Sequence, residues 1–319
     1  MDLNCLHCVD LDQPSLQGFR SFISSWIYRD GQLSFVVDPG PLSSLSILLE
    51  ALRQHGVQRL DYVLLTHIHI DHAGATGELL RHFPEARVLC HPDGIAHMVD
   101  PSKLWQGSLK VLGAMATAYG EIMPVPAVRI GYDDWLDDLP LTVLQTPGHA
   151  VHHLSFVFDD LLIAGEVAGV RSEARSGIYM RPATPPRFEL DVALNSLGKV
   201  MVYQPQQMIF AHYGLVKNAM DHLTIARRQL LLWVQGVIAH QDIEPEQHDE
   251  AICHWLLEQD VCFRRLGELP EDIQARERYF LGNTLRGMGD YVQRLTPEQR
   301  NAVASRPLPP WPDSVLVAE

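Results

Sequence analysis

The run Thr66-His67-Ile68-His69-Ile70-Asp71-His72-Ala73-Gly74 places three histidines and an aspartate within six positions. A lone histidine at a strand exit is ordinarily a hydrogen-bonded structural residue. Four ionisable groups this dense are a different case, because neutral imidazoles packed together are costly to bury without a cation. In an extended loop, side chains two apart point the same way. His67 and His69 therefore converge on one point. Asp71 and His72 follow as the chain turns into a helix, and they aim at a neighbouring point. Such an arrangement suits two metal ions a few ångströms apart.

Two ions need further ligands, and three later segments offer them. Thr146-Pro147-Gly148-His149 follows the apolar run 141–145, Gly165-Glu166 follows 161–164, and His212-Tyr213-Gly214 follows 207–211. Each puts a candidate ligand at the end of a strand. Sites pooled from several strand ends on one rim are a habit of α/β folds.

The elements that must position these residues can be read from hydrophobic spacing. Strands are expected over 19–28 and 33–37, joined by a turn at 29–32, then over 61–65, 87–90, 128–130, 141–145, 154–158, 161–164 and 207–211. Leu45, Leu48, Leu49 and Leu52 mark a helix at i, i+3, i+4, i+7; another follows the histidine run over 75–82, and Leu190, Leu194, Leu197 and Met201 mark a third. Residues 94–123 interrupt the strand rhythm and read as a helical insertion. The Pro- and Arg-rich stretch 177–187 reads as an irregular loop. Beyond His212 the texture becomes helical, near 219–239, 247–263 and 271–294, and Thr296-Pro297-Glu298-Gln299 has capping-box spacing. The expected organisation is a metal-binding domain over 1–215 and a C-terminal helical region over 216–319.

Bulk properties narrow the function classes. The chain has 319 residues, 46% hydrophobic, with 25 basic against 39 acidic residues and a formal net charge of −14. A surface that negative repels phosphate backbones, which argues against nucleic acid as a partner. No run reaches the roughly 18 apolar residues of a membrane helix. The first residues lack the layout of a signal peptide, so a cytoplasmic protein with a small-molecule substrate is the expectation. Five scattered cysteines argue against a disulfide framework, and Cys5 and Cys8 form a CxxC with no further ligands at matching spacing.

With all four strand exits in order, HxHxDH, TPGH, a carboxylate after an apolar strand and a final histidine, the sequence resembles the metallo-β-lactamase superfamily. The likeness covers roughly residues 19–214 and is strongest to glyoxalase-II-like and lactonase-like hydrolases. It implies a four-layer αββα sandwich, here with a helical insertion and a C-terminal helical extension. It also implies that His67, His69 and His149 hold one divalent ion and that Asp71, His72 and His212 hold the other. The bridging carboxylate of the family is usually Asp; here that position is Glu166. Its extra methylene leaves three arrangements open: bridging, binding one ion only, or swinging away. Zinc suits the ligand set, and so do iron and manganese.

The expected chemistry is hydrolysis of an ester, lactone or thioester by a metal-bound hydroxide, with Asp71 also orienting the nucleophile or moving its proton. The alternatives are an iron-dependent oxidoreductase of the persulfide dioxygenase type and a metal-binding regulator. Candidate substrate contacts are Tyr179, Arg181 and Tyr213, with Arg171, Arg175 and Arg187 adding local positive charge. His152 is a candidate to support the ligands from behind. The tail is expected either to cover the cleft or to present a face to a second copy of the chain.

Overall fold

A computed structural model describes residues 2–136 and 139–316. Its strands are β1 (Leu6–Asp10), β2 (Ser24–Arg29), β3 (Ser34–Val37), β4 (Tyr62–Leu64), β5 (Arg87–Leu89), β6 (Ile130–Gly131), β7 (Thr142–Gln145), β8 (Leu154–Phe158), β9 (Leu161–Gly165), β10 (Val170–Ala174), β11 (Gly177–Arg181), β12 (Gln207–Phe210) and β13 (Leu215–Val216). One sheet runs β1-β2-β3-β4-β5-β6, a second runs β13-β12-β9-β8-β7, and β10 and β11 form a separate hairpin. In the first sheet β3 to β6 are parallel; in the second only β9 and β12 are.

Side-chain alternation explains why the two sheets stack. Trp26, Tyr28, Phe35, Val37, Tyr62 and Leu64 point inward and meet Leu154, Phe156, Leu161, Ile163 and Ile209 from the other sheet. Their in-between neighbours Ile27, Val36, Val63 and Val88 point outward, onto Leu45, Leu48 and Leu52 of the helix Leu45–Gln54 and Leu79 of the helix Thr76–His82. On the second sheet Val157, Leu162, Ala164, Met208 and Phe210 face outward, onto Leu190, Leu194 and Leu197 of the helix Leu190–Met201. Strands buried on both faces are expected of such layering. The result is the four-layer αββα sandwich.

The insertion comprises the helices Pro92–Val99, Ser102–Leu112 and Ala114–Tyr119, the last packing against the short helix Ile70–Ala73 of the histidine run. The tail comprises the helices Ala219–Ala239, Pro245–Gln259, Glu271–Arg294 and Pro297–Ala304, with a 3₁₀ turn at Phe263–Glu268. The capping box of Thr296 and Gln299 is present. Leu223, Trp233 and Met288 of the tail share one core cluster with Leu162 and Phe210 of the second sheet. No helix among the described residues is long and apolar enough to cross a membrane.

One expectation fails. The stretch 177–187 is irregular only after Arg181; its first half is β11, paired antiparallel with β10 from Val170↔Arg181 to Ala174↔Gly177. Tyr179 and Met180 are buried within the cluster that contains the tail, so long-range packing overrides the Pro- and Arg-rich composition. At the N-terminus β1 pairs with β2 as an edge strand and contains Cys8. All five cysteines are free.

Candidate metal centre

The histidine run is set by two neighbours, the strand before it and Asp38. Past β4, Leu65 N still bonds Leu89 O, so the backbone stays extended. Ile68 and Ile70 are buried in the outer core of the first sheet. With those positions taken inward, His67 and His69 are turned to the opposite side. Asp38, at the end of β3, accepts from Thr66 N at 2.8 Å and from Thr66 Oγ1 at 2.6 Å. The helical turn Ile70–Ala73 then presents Asp71 and His72.

The other three residues arrive from the second sheet. His149 follows β7 and His212 follows β12. Glu166 follows β9, where Gly165 adopts φ +60. A Cβ on Gly165 would lie 2.5 Å from His153 Nε2, so the position excludes a side chain on two counts. The same His153 Nε2 accepts from Glu166 N at 3.0 Å, and its Nδ1 lies 2.8 Å from Thr146 Oγ1. His153 thus fixes the backbone that aims Glu166. The adjacent pair His152-His153 offers no sequence signal to choose between them, and burial decides: His153 is fully buried, whereas His152 is half-buried and only approaches Ile68 N, at 3.5 Å.

The seven residues meet in one place. Two groups form, His67, His69, His149 and Glu166, and Asp71, His72 and His212, with candidate ligand atoms in each group within 4.8 Å of one another. A single atom joins them. Glu166 Oε1 is 3.5 Å from His67 Nε2, 3.3 Å from His149 Nε2, 3.2 Å from His72 Nε2 and 3.4 Å from His212 Nε2. His149 Nε2 is 3.0 Å from His69 Nδ1, and His72 Nε2 is 3.1 Å from His212 Nε2. Asp71 Oδ2 is 3.5 Å from both His72 and His212. Around a tetrahedral ion with bonds near 2.0–2.1 Å, ligand atoms sit about 3.3 Å apart. The observed separations match that spacing. His67 Nε2 is buried with no hydrogen-bond partner, which a metal would supply.

Three of the histidines, His67, His149 and His212, are held from behind through the other ring nitrogen. His67 Nδ1 is 3.0 Å from Thr66 Oγ1, His149 Nδ1 is 3.1 Å from Ala183 O, and His212 Nδ1 is 3.0 Å from Phe22 O. Each contact fixes the tautomer that turns Nε2 toward the centre. Protonation preferences split across the cluster. Burial pushes His67 well below its ordinary value and His69 down to about 3. Burial also opposes charge on His72 and His212, but Asp71 and Glu166 overcome it, raising His72 and bringing His212 to about 10. Burial would likewise raise Asp71 and Glu166, yet the surrounding histidines hold both low. The buried Glu166 and the half-exposed Asp71 thus stay ionised and demand cations, whether protons or metal.

The candidate substrate contacts are placed elsewhere. Tyr179 OH and Arg181 Nε both donate to the buried carboxylate of Glu277, at 3.1 Å and 2.5 Å. Tyr213 OH donates to Asp10 at 3.2 Å. None of the three joins the metal-ligand cluster. Arg171 instead lines a pocket on the far side of the His212 loop. Arg175 and Arg187 are exposed. A residue invisible to motif reading is Arg276, in the tail. Its guanidinium lies 3.9 Å from the ring centre of Phe22, and that ring stacks on His212 at 4.1 Å. Thr184 Oγ1 donates to Thr284 O at 3.3 Å, so the tail also clasps the loop whose Ala183 carbonyl holds His149. Among the seven candidate ligands, His69, Asp71 and His149 are the half-exposed members and mark the mouth of the centre.

A family model described as the metallo-beta-lactamase superfamily matches residues 18–212. The chain is similar to the metallo-beta-lactamase fold-containing protein ST1585 of Sulfurisphaera tokodaii, 33% identical over 216 residues, spanning 64% of this chain and 78% of that protein. It is also similar to the hydroxyacylglutathione hydrolase of Aeromonas hydrophila, 31% identical over 150 residues, but that match spans only 44% of either chain. The crystal structure of ST1585 superposes with a TM-score of 0.64 at 22% identity, covering 89% of this chain and 98% of that one. At that identity the superposition speaks for the fold.

Proposed function

The chain belongs to the metallo-β-lactamase superfamily, and from that premise we propose that it is a metal-dependent hydrolase of an ester, lactone or thioester of a small organic substrate. The observation that carries this reading is Glu166 Oε1, one carboxylate oxygen within 3.2–3.5 Å of a histidine nitrogen from each ligand group. His67, His69 and His149 would hold one divalent ion, Asp71, His72 and His212 the other, and Glu166 both. When bound, the ions lower the pKa of a water and polarise the carbonyl of the substrate. Likeness to a hydroxyacylglutathione hydrolase supports the reading without identifying the substrate.

The protein's own groups do the positioning. Asp71 is the half-exposed carboxylate at the mouth, so its Oδ1 or Oδ2 can accept a hydrogen bond from the attacking water and fix its approach. His153 and Gly165 hold the backbone that aims Glu166. Phe22 stacks on His212 and covers that side of the centre, and Tyr119 is buried in the helix that packs against the Ile70–Ala73 turn.

The test is turnover of a panel of aryl esters, lactones and acyl thioesters by zinc-, manganese- and iron-loaded protein. Hydrolysis that is lost in Asp71→Asn and His67→Ala supports the proposal. Full metal occupancy without turnover would instead favour a binding regulator. Iron loading with oxygen uptake on a thiol-derived substrate would replace hydrolysis with oxidation.

A further inference from the structure

A second polar pocket lies behind the loop that carries His212 and shares no residue with the metal centre. It is an open pocket with a volume of about 290 Å³, bounded by the β10–β11 hairpin, β13, the start of the helix Ala219–Ala239, Arg265 and Ser314-Val315. Three cationic side chains line it, Arg171, Lys217 and Arg265, and among the described residues no acid does. In a chain with a net charge of −14 this is a local reversal of sign.

Two residues that line the pocket carry unmet hydrogen-bonding capacity. Arg171 is 8% exposed and His222 is 3% exposed. Arg171 Nε and His222 Nε2 are both buried without a partner. Arg265 is buried as well, and among the described residues its guanidinium donates to neutral oxygens: Ser176 Oγ, Ile178 O, Val261 O and Val315 O. The acids touching lining residues stand outside the pocket and are engaged. Glu173 is on Arg171, and Asp221 is on Ser314 and Asn218; Glu268 is on Ser176, which is not a lining residue but accepts from Arg265. Unpartnered buried polar atoms are uncommon and call for an explanation.

The two orphan atoms ask for opposite partners. Arg171 Nε is a donor and needs an acceptor. His222 Nδ1 is 3.1 Å from Asn218 O, a bond that places the ring proton on Nδ1 and leaves Nε2 as an acceptor. Burial lowers His222 to about 4, which keeps the ring neutral. The start of the helix Ala219–Ala239, with no side-chain cap on its first turn, adds partial positive charge. Ile178, Leu215, Val216 and Val315 supply an apolar wall.

We infer that this pocket binds a small oxyanion that also carries a hydroxyl proton, a hydrogen phosphate group or a short 2-hydroxycarboxylate. The oxyanion takes the Arg171, Lys217 and Arg265 donors, and the hydroxyl donates to His222 Nε2. Charge-assisted bonds of this kind suit guanidinium and oxyanion. Arg171 N also bonds His212 O at 2.7 Å, so the occupant sits one hydrogen bond behind a residue of the metal centre.

The experiment is titration calorimetry of the metal-loaded protein with inorganic phosphate, lactate and propionate. Phosphate and lactate are expected to bind saturably, and propionate, which lacks the hydroxyl, at least tenfold more weakly. Lys217→Ala, at an exposed position, is expected to weaken phosphate and lactate at least tenfold with metal content unchanged. His222→Phe is expected to abolish the preference for lactate over propionate. Binding unchanged in both variants, or lost only when the metal is stripped, places the anion at the metal centre and overturns the inference. Absence of saturable binding by phosphate and lactate overturns it as well.

Discussion

Glu277 ties the tail helix Glu271–Arg294 to the chain around the site. Its carboxylate is fully buried and accepts from Arg181 Nε at 2.5 Å, Arg276 Nε at 2.9 Å and Tyr179 OH at 3.1 Å. Glu277→Ala leaves two buried guanidinium groups without their counter-charge. Removing one partner of a buried ion pair costs about 3–5 kcal/mol. With an unfolding entropy of about 2.1 cal/mol/K per residue, that converts to a fall in Tm of about 4–8 °C for a chain of this length. The pH dependence has a definite sign. Burial raises the Glu277 carboxyl, but Arg181 and Arg276 outweigh it and hold it below its ordinary value. A group depressed in the folded state stabilises above its unfolded pKa, about 4.3 for glutamate, and that contribution is lost as the pH falls through the folded value. The Tm difference between the wild type and Glu277→Gln therefore narrows below about pH 4. Circular dichroism melts at fixed metal load, at neutral and acid pH, measure both effects. A Tm shift for Glu277→Ala under about 1 °C near neutrality, or a gap that widens on acidification, refutes the reasoning.

The groups behind the ligands yield further expectations. His153→Ala removes the acceptor of Glu166 N and leaves a buried donor unpaired, a loss of about 1–3 kcal/mol. It is also expected to lower metal affinity about 10–100-fold, the usual effect of removing support behind a ligand, read by competition with a fluorescent chelator. Asp38→Asn weakens the acceptor of Thr66, which fixes His67, and the carboxylate 3.6 Å from His72 Nδ1. The same range of loss is expected, with a folded circular dichroism spectrum. Affinity within twofold of wild type in both variants would show that these contacts do not orient the ligands.

Much of this architecture was legible because the ligands lie beside strong local signals. Ile68 and Ile70 alternate with His67 and His69, so the strand exit and the facing of its histidines follow from spacing alone. The helix of Leu45, Leu48 and Leu52 was plain for the same reason. What spacing could not carry was contact between distant segments. β10–β11 is a hairpin because Tyr179 and Met180 meet the tail, a fact absent from its Arg- and Pro-rich composition. Arg181 looked free to hold a substrate carboxylate, yet Glu277, 96 residues away in sequence, already claims it. His152 and His153 are indistinguishable as a pair in sequence, and only burial shows which one supports Glu166.

The central claim is that Glu166 serves two metal subsites at once, and metal stoichiometry tests it most directly. Elemental analysis after saturation with zinc and removal of excess metal should give about two ions per chain for the wild type. Glu166→Ala should keep at most one, because the oxygen shared by His67, His72, His149 and His212 is gone. One ion in the wild type, or two ions held with unchanged affinity in Glu166→Ala, would contradict it.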